Sequence, residues 1–203
     1  MEAWTRIEGV AAPLLRPNID TDIIIPSREI TSPERTGYAD KLFAPWRYLG
    51  TDRRENPDFV LNREPFRAAQ ILITGENFGC GSSREMAVWA LRQFGIRCIV
   101  APSFGAIFRN NCVRNAVLPI ELPAALVHRL GAVSEAHPKG WVVDLEACEL
   151  AEPDGCAHAF TVDARERVIL LSGLNAIDLT WQRRTQIELF ERDDRLHRPW
   201  IWR

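Results

Sequence analysis

Apolar positions are organised most clearly between residues 69 and 121. AQILITG (69–75) is a short β-branched run ending at glycine, the length and flanks of a buried strand. SREMAVWALRQFG follows, placing Met86, Ala87, Ala90, Leu91 and Phe94 on one helical face with Gly95 as the stop. IRCIVAP (96–102) predicts a second buried strand, FGAIFRNNCVRN (104–115) a second helix, and AVLPIEL a return to strand. Strand, helix, strand, helix, strand with short links is the pattern of a parallel α/β layer.

The flanks are less regular. Residues 4–15 predict a strand, and RPNIDTDIIIP (16–26) a loop running into a short apolar strand stopped by Pro26. Residues 27–66 are polar, proline-punctuated and aromatic, which predicts a functional or partner-contacting excursion rather than a core element. From 141 to 181, WVVDLEACEL, HAFTVD and RVILLSG alternate like antiparallel strands, and residues 173–192 predict a closing helical segment. The expectation is one α/β domain over residues 1–203, its N- and C-terminal strands set beside a parallel βαβ centre in a mixed sheet with flanking helices.

Composition narrows the function. The 203 residues are 46% hydrophobic and 26% charged, with a net charge of -2, so electrostatic capture of nucleic acid or an anionic membrane is not indicated. Lysine occurs only at Lys41 and Lys139, and the remaining positive charge is arginine, whose fork suits planar carboxylates. No apolar run approaches a membrane span, and the N-terminal MEAWTRIEGVAAPLL lacks an apolar signal core, so a cytoplasmic location is expected. The five cysteines (Cys80, Cys98, Cys112, Cys148, Cys156) are scattered without a C-x-x-C pair, as expected of reduced thiols holding no metal.

The candidate chemistry lies in NFGCGSSRE (77–85), between the first central strand and its helix. Gly79 and Gly81 permit backbone angles closed to other residues and let a ligand approach closely. Ser82 and Ser83 then fall at a helix N-terminus, where free N–H groups and the helix dipole favour an anion, and Arg84 adds a bidentate fork. Two readings stand on this pattern: an anion cradle at the carboxyl end of a strand, or a plain N-cap with Glu85 closing a capping box. The stretch matches neither the P-loop nor G-x-G-x-x-G, and Arg84 stands where a hydrolase elbow needs glycine.

NFGCGSSRE with the following WAL, and then APSFGAIFRNNCVRNAVLPI, closely resembles the small-subunit family of bacterial isopropylmalate dehydratases, which matches the swivelling β/β/α domain of the aconitase family. The resemblance extends to NIDTDIIIP, ERTGYADKLFAPWRYL, NPDFVLN and LLSGLNAIDLT, in order along nearly the whole chain. It implies reversible dehydration and rehydration of 2-isopropylmalate to 3-isopropylmalate in leucine biosynthesis. It also implies Ser82 as the base that moves the carbon-bound proton, Ser83 and Arg84 as carboxylate binders, and Asp22 as an orienting group. Arg35, in the excursion, resembles part of a substrate-sensing loop. The resemblance further implies a [4Fe-4S] cluster carried by a separate large subunit, in a heterodimer or heterotetramer, with the active site between the chains. Met86 and Val88 stand where the family usually has histidine and proline, which leaves open a related diacid such as a methylmalate or dimethylmalate. A non-catalytic carboxylate-binding module is the alternative of another class.

Overall fold

The computed structural model describes residues 3–31 and 34–202. Met1 and Glu2 of the N-terminal stretch, Ser32 and Pro33 of the excursion and the final Arg203 lie outside them. The chain opens with β1 (Arg6–Leu14), and α1 (Thr21–Ile24), α2 (Ala44–Arg47) and the two-residue strands β2 (Tyr48–Leu49) and β3 (Arg54–Glu55) precede β4 (Ala69–Thr74). Next come α3 (Glu85–Phe94), β5 (Cys98–Ala101), α4 (Ala106–Arg114) and β6 (Leu118–Glu121). After α5 (Ala124–Ala136) a meander of β7 (Trp141–Asp144), β8 (Glu149–Ala151) and β9 (Ala157–Ala159) leads to α6 (Ala164–Ser172), α7 (Ala176–Trp181) and α8 (Arg184–His197).

One seven-stranded sheet runs in the order β6-β5-β4-β1-β7-β8-β9. The first four are mutually parallel, and β7, β8 and β9 continue antiparallel from β1. The expected parallel centre with added N- and C-terminal strands is therefore present. Its strands read as unbroken apolar runs because both faces are covered. Leu72 and Ile99 enter one core with Ala87, Leu91, Phe108 and Cys112, while Ile71, Ile73, Cys98 and Val100 enter another with Val127, Leu130 and Trp141.

Several segments depart from expectation. The apolar DIII of RPNIDTDIIIP is not a strand: Asp20 accepts the Ile23 N–H at 2.8 Å and caps the helical turn α1. RVILLSG lies mostly in the helix α6, started by Asp163, which accepts the amides of Arg165 and Glu166, and ended at Gly173. Helix α5 answers to no sequence expectation. The excursion contributes to the core: Tyr38, Leu42, Phe43, Phe59, Leu61 and Phe66 are all buried within this chain, so these side chains are not held out for a partner.

Burial of the central strand on both faces is testable. Leu72→Ala and Ile73→Ala, whose side chains leave β4 on opposite faces, should each lower unfolding free energy by about 2–5 kcal/mol in chemical denaturation. A loss below about 1 kcal/mol at either position would contradict the two-sided packing.

Candidate active site

The turn from Gly75 to Arg84 leaves the carboxyl end of β4 and is clasped on both sides. Toward β1, Gly79 N–H donates to Ile19 O at 2.7 Å, Thr21 N–H to Cys80 O at 3.0 Å, and Asn18 N–H to Glu76 O at 2.9 Å. Toward β5, Phe78 N–H donates to Ser103 O at 3.1 Å and Gly105 N–H to Phe78 O at 2.9 Å. The loops after β1, β4 and β5 thus form one hydrogen-bonded stack at the carboxyl ends of neighbouring parallel strands, where open α/β sheets place ligands.

The glycines serve this stack in different ways. Gly79 has φ +72°, and a Cβ there would lie 2.1 Å from the Phe108 ring. Gly81 has φ +88°, and a Cβ there would make only ordinary contact, with Asp20 Cβ at 3.5 Å and Thr21 Oγ1 at 3.8 Å. One glycine is required by close packing as well as conformation, the other by conformation alone.

Ser82 and Ser83 are exposed beyond this clasp. The helix starts at Glu85, with Arg84 in the N-cap position and no side-chain cap, so the capping-box reading is not what the chain adopts. Glu85 instead accepts from Asn115 Nδ2 at 2.9 Å, and Asn115 Oδ1 accepts from Trp89 Nε1 at 3.1 Å. The Ser82 backbone is held by a buried threonine: Thr21 Oγ1 donates to Ser82 O at 2.9 Å. Sequence reasoning passed over Thr21, although its place between the two aspartates of NIDTD was the available signal.

Asp22 and Arg84, assigned separately from sequence, form an ion pair. Arg84 also reaches toward Ile25 O at 3.4 Å, and Ser27 Oγ donates to Asp22 Oδ1 at 3.4 Å. Hydrogen bonding from Arg84, helped by its positive charge and the Ser27 contacts, outweighs the opposing desolvation and holds the Asp22 carboxyl below the usual carboxylate range. Arg35 stands elsewhere. Its guanidinium stacks over Trp89 at 4.9 Å, and its carbonyl accepts from Gln93 Nε2 at 2.8 Å. The structure gathers Asp22, Gly79, Gly81, Ser82, Ser83 and Arg84, and sets Arg35 against the flank of α3. Val88 is fully buried and Met86 packs against the same core, so both family departures are packing positions.

The cysteines do not form a cluster-binding set. All five are free, and burial pushes the Cys98 and Cys112 thiols well up, away from the thiolate form that binds metal. Among the described residues the one group of three metal-type donors is Glu152, Cys156 and His158, which cannot furnish the thiolate set of an iron–sulfur cluster. This chain's own residues do not fit a [4Fe-4S] cluster. No helix among the described residues is long and apolar enough to cross a membrane.

A mixed sheet with an anion-suited turn at its parallel carboxyl edge defines a swivelling-type α/β domain, and residues 1–125 match the family model of the aconitase C-terminal domain. The 3-isopropylmalate dehydratase small subunit of Cupriavidus necator is 55% identical, over 99% of this chain and 98% of its own length. That of Dinoroseobacter shibae is 48% identical, over 99% of this chain and 100% of its own. The solved structure of 3-isopropylmalate dehydratase from Methanocaldococcus jannaschii superposes with a TM-score of 0.65 at 25% identity, covering 91% of this chain and 99% of that one. This chain belongs to the 3-isopropylmalate dehydratase small-subunit family, within the aconitase C-terminal domain family.

The glycine geometry yields an ordered pair of effects. Gly79→Ala combines a positive-φ penalty of about 1–2 kcal/mol with overpacking against Phe108 of about 1–3 kcal/mol. Gly81→Ala should show only the first. Thermal or urea unfolding should rank Gly79→Ala clearly below Gly81→Ala, and equal losses would refute the packing role given to Gly79.

Proposed function

We propose that this chain is the small subunit of a 3-isopropylmalate dehydratase, a hydro-lyase interconverting 2-isopropylmalate and 3-isopropylmalate in leucine biosynthesis. The observation that carries the reading is the 55% identity, over essentially full length, to a small subunit of that name. The Ser-Ser-Arg turn supports it with matching chemistry. The enzyme works in the cytoplasm, and its small-molecule substrate is a dicarboxylate.

In this reading the Ser82 hydroxyl oxygen takes the proton from the substrate carbon and returns it during rehydration. A hydroxyl is a poor base in water, so its alkoxide requires positive potential, for which the start of α3, three residues on, is the available source, while Arg84, paired with Asp22, serves the substrate carboxylate. Ser83 and Arg84 hold a substrate carboxylate, the arginine through its planar fork. Asp22 fixes the fork from behind, and Gly79 and Gly81 set the turn. Arg35 joins this set only by leaving Trp89, through movement of the segment that Gln93 tethers.

The cluster belongs to the large subunit, and the complete site forms between the two chains. The C-terminal arm supports such a partner. Trp181, Leu189, Phe190, Leu196 and Trp200 are each more than half exposed along α7, α8 and the tail. Val168, Leu179, Ile187 and Phe190 line a groove of about 870 Å³. Aromatic and aliphatic groups massed in this way suit the centre of an interface. The tail folds back on its own helix, Trp202 Nε1 donating to Asp194 Oδ2 at 2.9 Å.

With the large subunit present, Ser82→Ala should lower turnover by about a hundredfold or more while unfolding free energy changes by less than about 0.5 kcal/mol. Near-normal turnover would remove Ser82 as the base. Arg84→Lys should chiefly raise the Michaelis constant, and unchanged kinetics would take Arg84 out of the site.

Purified alone, the chain should be colourless, iron-free and inactive, and should bind the large subunit. Deleting residues 199–203 should weaken that assembly, as read by analytical ultracentrifugation. Stoichiometric iron and sulfide on the isolated chain would defeat the two-subunit reading, and undiminished assembly would free the tail from the interface.

A further inference from the structure

At the edge of the sheet remote from β4 and β5, the chain makes a tight hairpin between β8 and β9. Glu152 N–H donates to Cys156 O at 2.8 Å, Gly155 N–H to Glu152 O at 3.0 Å, and Asp154 Oδ1 accepts the Cys156 amide at 2.9 Å. Because side chains alternate along a strand, Leu150, Glu152, Cys156 and His158 share one face, and Leu150 is opposite His158 in register. Leu150 is buried in the core beneath α5, so its face-mates are directed toward that helix.

This places three different donors together. Glu152 Oε1 lies 2.6 Å from His158 Nε2, and Cys156 Sγ lies 3.7 Å from the same nitrogen. All three donor atoms fall within 4.8 Å of one another. The Glu152 side chain is only 2% exposed, that of His158 16%, and Cys156 opens to solvent. Arg129 of α5 enters from the side, its Nη2 at 2.7 Å from Glu152 Oε1 and 3.1 Å from His158 Nε2. Its Nη1 lies 3.2 Å from Glu152 Oε2.

The contacts at His158 Nε2 conflict. The carboxylate at 2.6 Å requires a proton on that nitrogen, whereas the arginine N–H at 3.1 Å requires a lone pair. One ring nitrogen cannot offer both. A divalent cation would resolve the conflict by accepting the Nε2 lone pair and a Glu152 oxygen together, with Cys156 Sγ as third ligand. Arg129, with 48% of its side chain exposed, has room to withdraw.

We propose that Glu152, Cys156 and His158 form a binding site for a borderline-soft divalent cation, zinc above all, with water in the fourth position and Arg129 as the competing cation. Nitrogen, sulfur and oxygen donors in one tetrahedral set select such an ion over magnesium or calcium. Coordination forms a metal–sulfur bond and breaks the thiol S–H bond, the proton leaving to solvent. The ion ties the edge hairpin together on the side of the sheet away from the Ser82 turn. The site is independent of the proposed catalysis.

The test uses the untagged full-length chain, stripped with a chelator and titrated with cobalt(II) as a spectroscopic stand-in for zinc. A single equivalent should bind, with tetrahedral ligand-field bands and a sulfur-to-cobalt charge-transfer band, and zinc should bleach both. Cys156→Ser, at an exposed position, should abolish the charge-transfer band, and His158→Gln should weaken binding by about tenfold or more. Arg129→Gln should leave binding intact or tighten it, because it removes the competing cation. Each variant is checked for unchanged circular dichroism, so that lost binding is separated from lost fold. Failure of cobalt to bind, a charge-transfer band surviving in Cys156→Ser, or lost affinity in a folded Arg129→Gln would overturn the site and leave Arg129–Glu152–His158 as a salt-bridged fastening of α5.

Discussion

The candidate site depends on the clasp that holds the β4 turn between two neighbouring loops. Backbone bonds to Ile19 and Cys80 on one side and to Ser103 and Phe78 on the other stack the loops in register. The clasp can close only where residue 79 has no Cβ, since Phe108 fills that space. Phe108 in turn meets Phe78 edge-on with ring centroids 5.3 Å apart, so the aromatic core of α4 reaches directly under the turn. The position of Ser82 is therefore determined from beneath by packing and from the side by the Thr21 hydroxyl. A backbone fixed this way spares the turn much of the ordering cost of receiving a ligand, while the Ser82 side chain itself stands exposed.

How far the sequence could reveal this differs by segment, for identifiable reasons. β4 and β5 are covered on both faces, so their apolar runs are unbroken and legible without knowledge of the partner strands. The glycine spacing and Ser-Ser-Arg of residues 79–84 were legible because each demands a special backbone or charge environment. DIII misled because its fate turns on Asp20, and Asp20 is positioned by a bridge to Cys80, far away in sequence. RVILLSG misled because a short apolar run fits strand and helix alike, and the Asp163 cap decided between them. Arg35 could not be placed from sequence at all, because its neighbours Trp89 and Gln93 belong to another element.

The aromatic excursion shows how topology overrides composition. Strands β1 and β4 are parallel neighbours, so the chain between them must return across the sheet before β4 begins. That return covers a face of the sheet, and Tyr38, Phe43, Phe59 and Phe66 are the side chains that bury it. Arg47 is drawn in with them and satisfied by Asn62 Oδ1 at 3.0 Å and Ala39 O at 2.9 Å. With those aromatics committed to the core, most of the exposed large apolar side chains lie on α7, α8 and the tail. The C-terminal arm, rather than the buried aromatics of the excursion, is therefore the surface on which the proposed partner contact is placed.

The Asp22–Arg84 pair sets the electrostatic condition under which the proposed site meets its substrate. Asp22 has a depressed pKa, so its ionised form is retained as pH falls until that lowered value is passed; the pair is fully formed at neutral pH. Arg84 in the free chain is thus already neutralised, and the turn does not advertise a bare cation. A substrate carboxylate gains from Arg84 only what the fork offers beyond its bond to Asp22, so attraction by charge alone is weak. Geometry must supply the rest: the two serines are exposed immediately before α3, and Arg84 stands at its N-cap. Such a site discriminates by shape and hydrogen-bond direction rather than by net charge.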